Sequence, residues 1–401
     1  MRPVATILLL FLLAGHAMAA SRQELLNRID RSLVDAGAYL TGRQQPDGSW
    51  RSGVHGSFQN GIGLTPHVLT AQYFLAGEHP PAGESVRRGI AFLLSLTDAD
   101  GQLHPEHRWL TFPVYSSAEI AWMLHMTDRV RHERVQRAWL ARLRSYQLGP
   151  ANGWRAEDPE FGGWGYSPAV PKRPPDGSMR PPMLDSNLSA TLFAVGALRI
   201  ARVPADDPVW NQALTFIDRC QNYPDDPARR DDSFDDGGMF FVPADAARNK
   251  PGPAGEDRQG QPRYWSYGSM TADGARAMLA CGRPVEHPRV VAARDWLIEH
   301  FDAMQNPGRF NPDREFLREG TYYYWCWSAA HAMQRLGVSQ VQTPAGPRHW
   351  AEWLAETLIE RQQADGSWKN GSSAVKEDDP LVATPFAASA LWICRDVLSR
   401  H

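Results

Sequence analysis

The sequence of 401 residues contains 42 Lys and Arg against 45 Asp and Glu, and this formal net charge of −3 provides no basic surface for nucleic acid. Its four cysteines show no C-x-x-C spacing, so they carry no signature of a thiolate metal site. In an exported protein they could form disulfides, but three of them lie in apolar helical stretches, which favours isolated buried thiols.

The N-terminal segment has the features of a secretory signal. Arg2 precedes an apolar run from Ile7 to Leu13, and residues 17–19, AMA, form a small-x-small cleavage pattern. We predict that residues 1–20 are a signal peptide and that the mature protein is exported to the periplasm or the extracellular space. No later segment is apolar for long enough to span a membrane, so we expect no transmembrane anchor after cleavage.

A seven-residue sequence near the start of the chain returns near its end. Residues 44–50 read QQPDGSW and residues 362–368 read QQADGSW, with weaker copies between them. An amphipathic stretch precedes each copy, and a stretch that is apolar or small on nearly every side follows it. The chain is therefore a repeat protein. The predicted repeats cover about 22–77, 86–128, 135–202, 210–282, 290–337 and 348–398.

Each repeat predicts a helical hairpin, in which an outer amphipathic helix and a buried inner helix flank an Asp-Gly turn. The inner stretches, such as residues 192–198 and 385–392, lack the polar stripe that an open superhelix would need. This favours about six hairpins closed into a double-walled ring. The predicted fold is all-α, with residues 21–401 forming a single domain.

The Gln-x-x-Asp-Gly-Ser-Trp turns resemble the repeats of squalene-hopene and oxidosqualene cyclases and, more remotely, those of the β subunits of protein prenyltransferases. The resemblance implies an α/α toroid with a central cavity for polyprenyl substrates. Residues 162–167, GGWGYS, look like those of exported bacterial relatives in this superfamily. For such relatives the resemblance implies the fold but no particular reaction.

The catalytic motifs of these families are incomplete in this chain. The Asp-x-Asp-Asp-Thr acid of a triterpene cyclase corresponds to residues 185–189, DSNLS, where only the first Asp remains. The Asp, Cys and His zinc ligands of a prenyltransferase correspond to Glu319, Thr321 and about Ala383, so one possible ligand is left where three are needed. We predict no metal and no cofactor.

If all inner helices run the same way, the residues that open them surround one mouth of the ring. We expect any ligand to bind at this mouth, because an apolar cavity with a few convergent polar groups is the usual site. The candidate catalytic residues are the carboxylates Asp185, Glu119 and Asp273. The candidate ligand-binding residues are His67, Tyr115, Asn187, Tyr267, Tyr322, Tyr323, Tyr324 and Trp325.

A structural role explains several of these residues as well. Helix N-caps are the ordinary interpretation of four of them, namely Thr65, Ser116, Asp185 and Thr384. Glu119 and Asp273 would be costly to bury unless they were paired or faced the cavity, and His67 and Arg276 are conceivable partners.

Three functions remain open at this stage. The first is an exported toroid that binds, and perhaps transforms, an apolar polyprenyl or terpenoid-like ligand without an intact acid or zinc motif. The second is a carbohydrate-active hydrolase or lyase, which would need a suitably spaced pair of carboxylates in the cavity. The third is a non-catalytic binding or scaffold protein, in which degraded motifs are expected.

Overall fold

The computed structural model of the chain describes residues 2–75, 83–107 and 110–400, with side chains from Ser21 onward. The predicted signal peptide, residues 1–20, lies outside the residues whose side chains are described, and so it stays a prediction. The chain is mostly helical. Its helices are α1 (Arg2–Gly42), α2 (Thr65–Leu75), α3 (Glu84–Leu94), α4 (Pro113–Ser145), α5 (Leu188–Ile200), α6 (Pro208–Arg219), α7 (Gly268–Ala280), α8 (Pro288–His300), α9 (Glu315–Glu319), α10 (Tyr322–Arg335), α11 (Trp350–Arg361) and α12 (Pro380–Ser399).

Among the described residues, the β-strands form short antiparallel pairs in the connections between helices. In the first pair Trp164 lies opposite Asn187, which joins the third turn directly to the start of α5. The pairs are β1 (Trp164–Gly165) with β2 (Ser186–Asn187), β3 (Pro253–Glu256) with β4 (Pro262–Tyr264), and β5 (Gln340–Val341) with β6 (Arg348–His349).

The buried helices form a closed circuit. Contacts run from α2 to α4, then through α5, α7, α10 and α12, and α12 packs back against α2. The remaining long helices lie outside this circuit: α1 packs on α2, α11 and α12, while α3, α6 and α8 each pack on their neighbouring inner helices. Residues such as Leu188, Ala194 and Leu198 in α5 are fully or almost fully buried, as expected for a helix covered on all sides.

Helix α4 belongs to both layers. Its regular geometry breaks at Asp128, where φ is −160° and ψ is 87°. The Asp128 side chain accepts a hydrogen bond from the Arg131 backbone N–H at 3.0 Å, so it caps the second half of the helix. The inner and outer segments are therefore connected through a bend and without a loop.

The turn tryptophans join each outer helix to the inner helix that follows it. Trp50, Trp164 and Trp368 are fully buried. Each indole donates to a carbonyl oxygen near the end of the outer helix, and each backbone N–H donates to a threonine hydroxyl on the inner helix. The indole acceptors are Leu40 at 2.6 Å, Leu143 at 2.8 Å and Leu358 at 2.8 Å, and the threonine acceptors are Thr65 at 3.0 Å, Thr191 at 3.1 Å and Thr384 at 3.0 Å.

These bonds correct the predicted helix caps. Thr65 and Thr384 accept from tryptophan backbones and do not cap their own helices, and Ser116 donates to the Thr111 carbonyl oxygen. Helix α5 is capped by Asn187, whose side chain accepts from the Ala190 backbone N–H. The prediction that Asp185 caps this helix is wrong, because the N-cap lies two residues later, at Asn187.

Four turn glutamines each join their own turn to the outer helix of the next hairpin. Gln362 donates to Gly366 of its own turn and to the Ser32 carbonyl oxygen of α1, 330 residues away, both at 2.9 Å. The same double contact recurs at Gln44, Gln147 and Gln221, which reach the carbonyl oxygens of Ser85, Val209 and Arg289 at the starts of the following outer helices. One side-chain type thus links successive hairpins and also closes the ring.

The turn glycine allows this close approach. Gly366 has φ of +86°, and a β-carbon there would lie 2.5 Å from the Asp35 carbonyl oxygen of α1. The position therefore requires glycine both for its left-handed backbone and for its contact with the next helix.

One helix in the described part of the chain, Pro380–Ser399, is long and apolar enough to span a membrane by length and composition. This corrects the expectation that no later segment is apolar for long enough. The helix is 72% buried within the protein and forms part of the inner circuit, which is typical of a core helix.

The hairpin junction leads to a stability prediction. Gly366→Ala should cost about 1–2 kcal/mol for the left-handed backbone and a further 1–3 kcal/mol or so for the clash with α1. Gly282→Ala is the matched control, because Gly282 has φ of +94° but no heavy atom within 4 Å of a β-carbon. Urea unfolding of both variants measures the difference, and equal destabilisation would contradict the role of the contact.

Candidate functional site

A central cavity lies inside the inner helices and consists of two lobes. The upper lobe, about 290 Å³, lies beside the first turns of these helices and is lined by residues such as Phe112, Tyr115, Tyr166 and Tyr324. The lower lobe, about 330 Å³, lies towards their C-terminal ends and is lined by residues such as Phe74, Trp122, Gly196 and Trp327. The residues common to both lobes, which we call the waist, are His67, Glu119, Phe193 and Phe386.

A histidine–carboxylate pair lies at the waist. His67 Nδ1 is 3.3 Å from Glu119 Oε1, and His67 Nε2 is 3.1 Å from the Val382 carbonyl oxygen. A carbonyl oxygen can only accept, so Nε2 carries a proton and donates. A hydrogen bond on the other side then requires one further proton between Nδ1 and Glu119. The pair therefore places an imidazole and a carboxyl group in contact at the waist.

Hydroxyl groups connect the upper lobe to a buried aspartate. Tyr115 donates to Ser189 Oγ at 2.9 Å, Ser189 Oγ lies 2.6 Å from the Tyr324 hydroxyl, and Tyr324 donates to Asp273 Oδ2 at 2.6 Å. When Asp273 is ionised, Tyr324 must donate to it, and Ser189 must then donate to Tyr324. The hydrogen bonds of this hydroxyl chain, from Tyr115 to Asp273, consequently all point in one direction across four helices.

Asp273 is fully buried in α7 and does not line either lobe. Burial raises the pKa of its carboxyl group to about 6, although Arg276, Ser328 and Tyr324 all favour the ionised form. Arg276 Nη1 lies 3.9 Å from Asp273 Oδ1, and its guanidinium packs 4.1 Å from the centre of the Trp327 ring. Asp273 therefore reaches the cavity through the Tyr324 hydroxyl.

Glu377 is a second buried carboxyl group, and it lines the upper lobe. Its oxygens accept hydrogen bonds from the Tyr323 and Tyr324 backbone N–H groups at 2.9 and 2.8 Å, at the start of α10. Asn370 donates to it as well, at 2.8 Å. Burial raises the pKa of Glu377 to about 8, against the effect of these donors. The Glu377 carboxyl group is therefore protonated in most molecules at neutral pH.

Lys250 also lines the upper lobe. It belongs to the long connection between α6 and α7, and its ammonium lies 4.5 Å from the centre of the Phe241 ring. Burial lowers the pKa of Lys250 to about 8. The sequence analysis did not identify Lys250 or Glu377, because both lie in connections outside the repeat pattern. For Lys250, the unusual length of the 243–262 connection is a signal in the sequence.

The structure brings some of the predicted site residues together and separates others. Glu119, His67, Tyr115 and Tyr324 line the cavity. The other predicted ligand-binding residues do not line either lobe. They are Asn187, Tyr267, Tyr322, Tyr323 and Trp325.

Asp185 lies outside the cavity lining. Its carboxylate is 2.8 Å from Arg248 and 3.4 Å from Arg180, and about 30% of its side chain is exposed. Two arginines therefore hold Asp185 in an ion-pair cluster away from any ligand in the lobes. Asp185, the one acid retained from the cyclase motif, is thus engaged in ion pairs between connecting segments.

The prenyltransferase zinc positions are occupied by structural contacts. Thr321 accepts a hydrogen bond from Asn306 at 2.8 Å, and Ala383 is fully buried in α12. Within the described residues, no group of three His, Cys, Asp or Glu side chains is placed to hold a metal ion. All four cysteines are free thiols in the structure, and all but Cys281 are buried.

Comparison with known proteins identifies the fold. No family model matches the chain, and no curated protein matches it in sequence. Structures of the type II terpene cyclase MstE from Scytonema are similar to it. A variant in complex with geranylgeranyl dihydroxybenzoate (substrate) gives a TM-score of 0.56 at 12% identity, and one in complex with merosterolic acid A (product) gives 0.57 at 12%; both cover 93% of this chain and 99% of that chain.

The apo enzyme gives a TM-score of 0.52 at 11% identity and covers 92% of this chain and 99% of that chain. Such low identity establishes the fold alone. The chain therefore has the α/α toroid of squalene-cyclase-like proteins, as the repeats predict.

The buried aspartate leads to a pH prediction. A carboxyl group whose pKa is raised from 3.8 to about 6 stabilises the fold below pH 3.8, and this contribution is lost as the pH rises through 6. The full difference corresponds to about 3 kcal/mol. The stability of Asp273→Asn relative to the wild type should therefore increase by up to this amount between pH 4 and pH 7.

Urea unfolding from pH 4 to pH 7 measures the effect. The pH-dependent contributions of groups other than Asp273 are common to both proteins and largely cancel in the difference. Tyr324→Phe removes a donor to the carboxylate and should raise the pKa of Asp273 further. A constant stability difference between Asp273→Asn and wild type at all pH values would rule out the raised pKa.

Proposed function

We propose that the protein binds an elongated apolar ligand of the polyprenyl or terpenoid class in its two-lobed cavity. The observation that carries this proposal is the lining, most of whose surface is apolar. Besides histidine, the acidic and basic side chains in the lining are Glu119, Lys250, Lys376 and Glu377 in the upper lobe, and Glu119, Arg199, Arg276 and Arg335 in the lower lobe. Water in such a cavity makes few hydrogen bonds, so its displacement by an apolar chain is favourable.

The shape of the cavity supports an extended ligand. Two lobes of about 290 and 330 Å³ meet at the waist, where the rings of Phe193 and Phe386 flank the His67–Glu119 pair. A compact ligand would fill one lobe, whereas a flexible chain can pass the waist and contact both. MstE, which shares the fold at low identity, is described with a geranylgeranyl-bearing substrate, and this likeness supports the same ligand class.

Any chemistry on the ligand would centre on the waist. Glu119 lines both lobes and lies 3.3 Å from His67 Nδ1, so it is the candidate acid or base that reaches the ligand directly. Asp273 would act behind it as a proton store at the end of the hydroxyl chain. Asp185 is not part of this proposal, because its arginine partners hold it away from the lobes.

We further infer that the toroid consists of six hairpins and that the protein is exported. The hairpins are α1–α2, α3 with the first half of α4, the second half of α4 with α5, α6–α7, α8–α10 and α11–α12. Export rests on the N-terminal sequence of residues 1–20. Secretion of an epitope-tagged chain, and its loss when residues 2–20 are deleted, would test this inference.

The binding proposal is tested by filling the cavity. Gly196 lines the lower lobe, and a β-carbon there would have no heavy atom within 4 Å, so Gly196→Leu places a side chain in open space. The matched control is Gly42→Leu, which makes the same change at an exposed position of α1 with equally free surroundings. Both variants should fold, since leucine favours helix over glycine.

Titration of tryptophan fluorescence with C5, C10, C15 and C20 prenyl alcohols measures the outcome. The affinity should rise roughly tenfold or more with each isoprene unit, because each buried methylene contributes about 0.8 kcal/mol before ordering costs. Gly196→Leu should abolish the gain from the longest chains, and Gly42→Leu should retain it. Tight binding of oligosaccharides with no response to prenyl alcohols would overturn the proposal in favour of a carbohydrate-active protein.

A further inference from the structure

We propose that the ligand is an acid, with its carboxylate bound in the upper lobe by Lys250 and its apolar chain directed through the waist. This inference rests on the proposed function, and it specifies the chemical class of the ligand's head group. It depends on three features of Lys250: its lack of a partner, the commitment of the nearby carboxyl groups, and the rigid backbone that places it.

The Lys250 ammonium has no polar partner in the described part of the chain. Its Nζ atom forms no hydrogen bond or ion pair with the described residues, and it lies 4.5 Å from the centre of the Phe241 ring. Lysine side chains are usually extended into water, so a lysine amine that lines an apolar cavity without a counter-ion is costly. A ligand anion would remove this cost.

The nearby carboxyl groups are already engaged. Asp273 accepts from Tyr324 and Ser328 and faces Arg276. Glu377 accepts from two backbone N–H groups of α10 and from Asn370. Because Glu377 has a raised pKa, near 8, it supplies little negative charge at neutral pH. The Asp273 and Glu377 carboxyl groups therefore favour the charged form of Lys250 from a distance, but neither forms a hydrogen bond or an ion pair with its ammonium.

The backbone around Lys250 is fixed by neighbouring hydrogen bonds. Asn249 is fully buried, and its side chain accepts from Phe241 and Val242 and donates to the Val242 and Asp245 carbonyl oxygens. On the other side of Lys250, the Pro251 carbonyl oxygen accepts from the Asn311 backbone N–H at 2.9 Å. This lysine is consequently positioned before the ligand arrives, which reduces the ordering cost of binding.

A single carboxylate matches this environment best. The Lys250 ammonium balances one negative charge, and the Tyr166 hydroxyl, which accepts from Tyr115 and keeps its own proton free, is a further donor in the same lobe. Lys376 also contributes to this lining and carries a second ammonium group. A neutral alcohol would leave the ammonium unpaired. The remaining length of the ligand would extend past Phe193 and Phe386 into the lower lobe.

The test compares geranylgeranoic acid with geranylgeraniol at pH 7, using wild-type protein and Lys250→Met. The wild type should bind the acid at least about tenfold more tightly than the alcohol, and Lys250→Met should remove this preference with little change in alcohol affinity. Lys250→Arg should retain the preference, since it keeps the charge. Lys369→Met is the matched control, because Lys369 is an exposed lysine that does not line the cavity.

Equal affinities for acid and alcohol in the wild type, or a preference that persists in Lys250→Met, would overturn the inference and leave the proposed function intact. Failure of both ligands to bind the wild type would instead refute both. Tighter binding of geranylgeranyl phosphate than of the acid, abolished by Lys250→Met, would overturn the carboxylate assignment in favour of phosphate. Lys250→Gln provides the same comparison if Lys250→Met does not fold.

Discussion

The ring depends on one repeated contact, in which a turn glutamine donates both to its own turn and to a backbone carbonyl oxygen of the next outer helix. At Gln362 this contact reaches Ser32 in α1, and so it converts a row of hairpins into a circle. The contact is geometrically demanding, because Gly366 places its backbone directly against Asp35. Closure adds neighbours to both end hairpins, which removes the exposed apolar faces that an open array must cap.

Closure also determines what the cavity contains. The inner helices all enter the ring from the same side, so residues near their first turns meet although they lie far apart in the chain. Tyr115, Ser189, Asp273 and Tyr324 come from four helices and still form hydrogen bonds of 2.6–2.9 Å. Polar groups held by such a rigid wall are pre-oriented, and this limits the number of ways in which a ligand can bind.

Local sequence patterns predict the architecture well, because each repeat carries its own signals. The turn motif, the amphipathic outer stretch and the apolar inner stretch follow one another within a single repeat. The same reasoning correctly indicates that buried carboxylates such as Glu119 and Asp273 need partners, and the structure provides His67 and Arg276.

The rest of the site depends on contacts that local patterns do not encode. Glu377 is a site residue because its loop folds over the start of α10, and Lys250 is one because Asn249 fixes an irregular segment. Asp185 illustrates the opposite case. Its position in the motif suggests a catalytic acid, but Arg248, 63 residues further along the chain, forms an ion pair with it. Such pairings are set by tertiary structure alone.

The closed circle has a further consequence for the order of the hairpins along the chain. Since Gln362 joins the last hairpin to the first in the same way that the other glutamines join their neighbours, no contact between hairpins depends on where the chain starts. A circularly permuted chain, beginning for example between α7 and α8, would preserve every one of these contacts. The bend at Asp128 is the exception, because there two successive hairpins share one helix, and a new terminus would cut the helix itself.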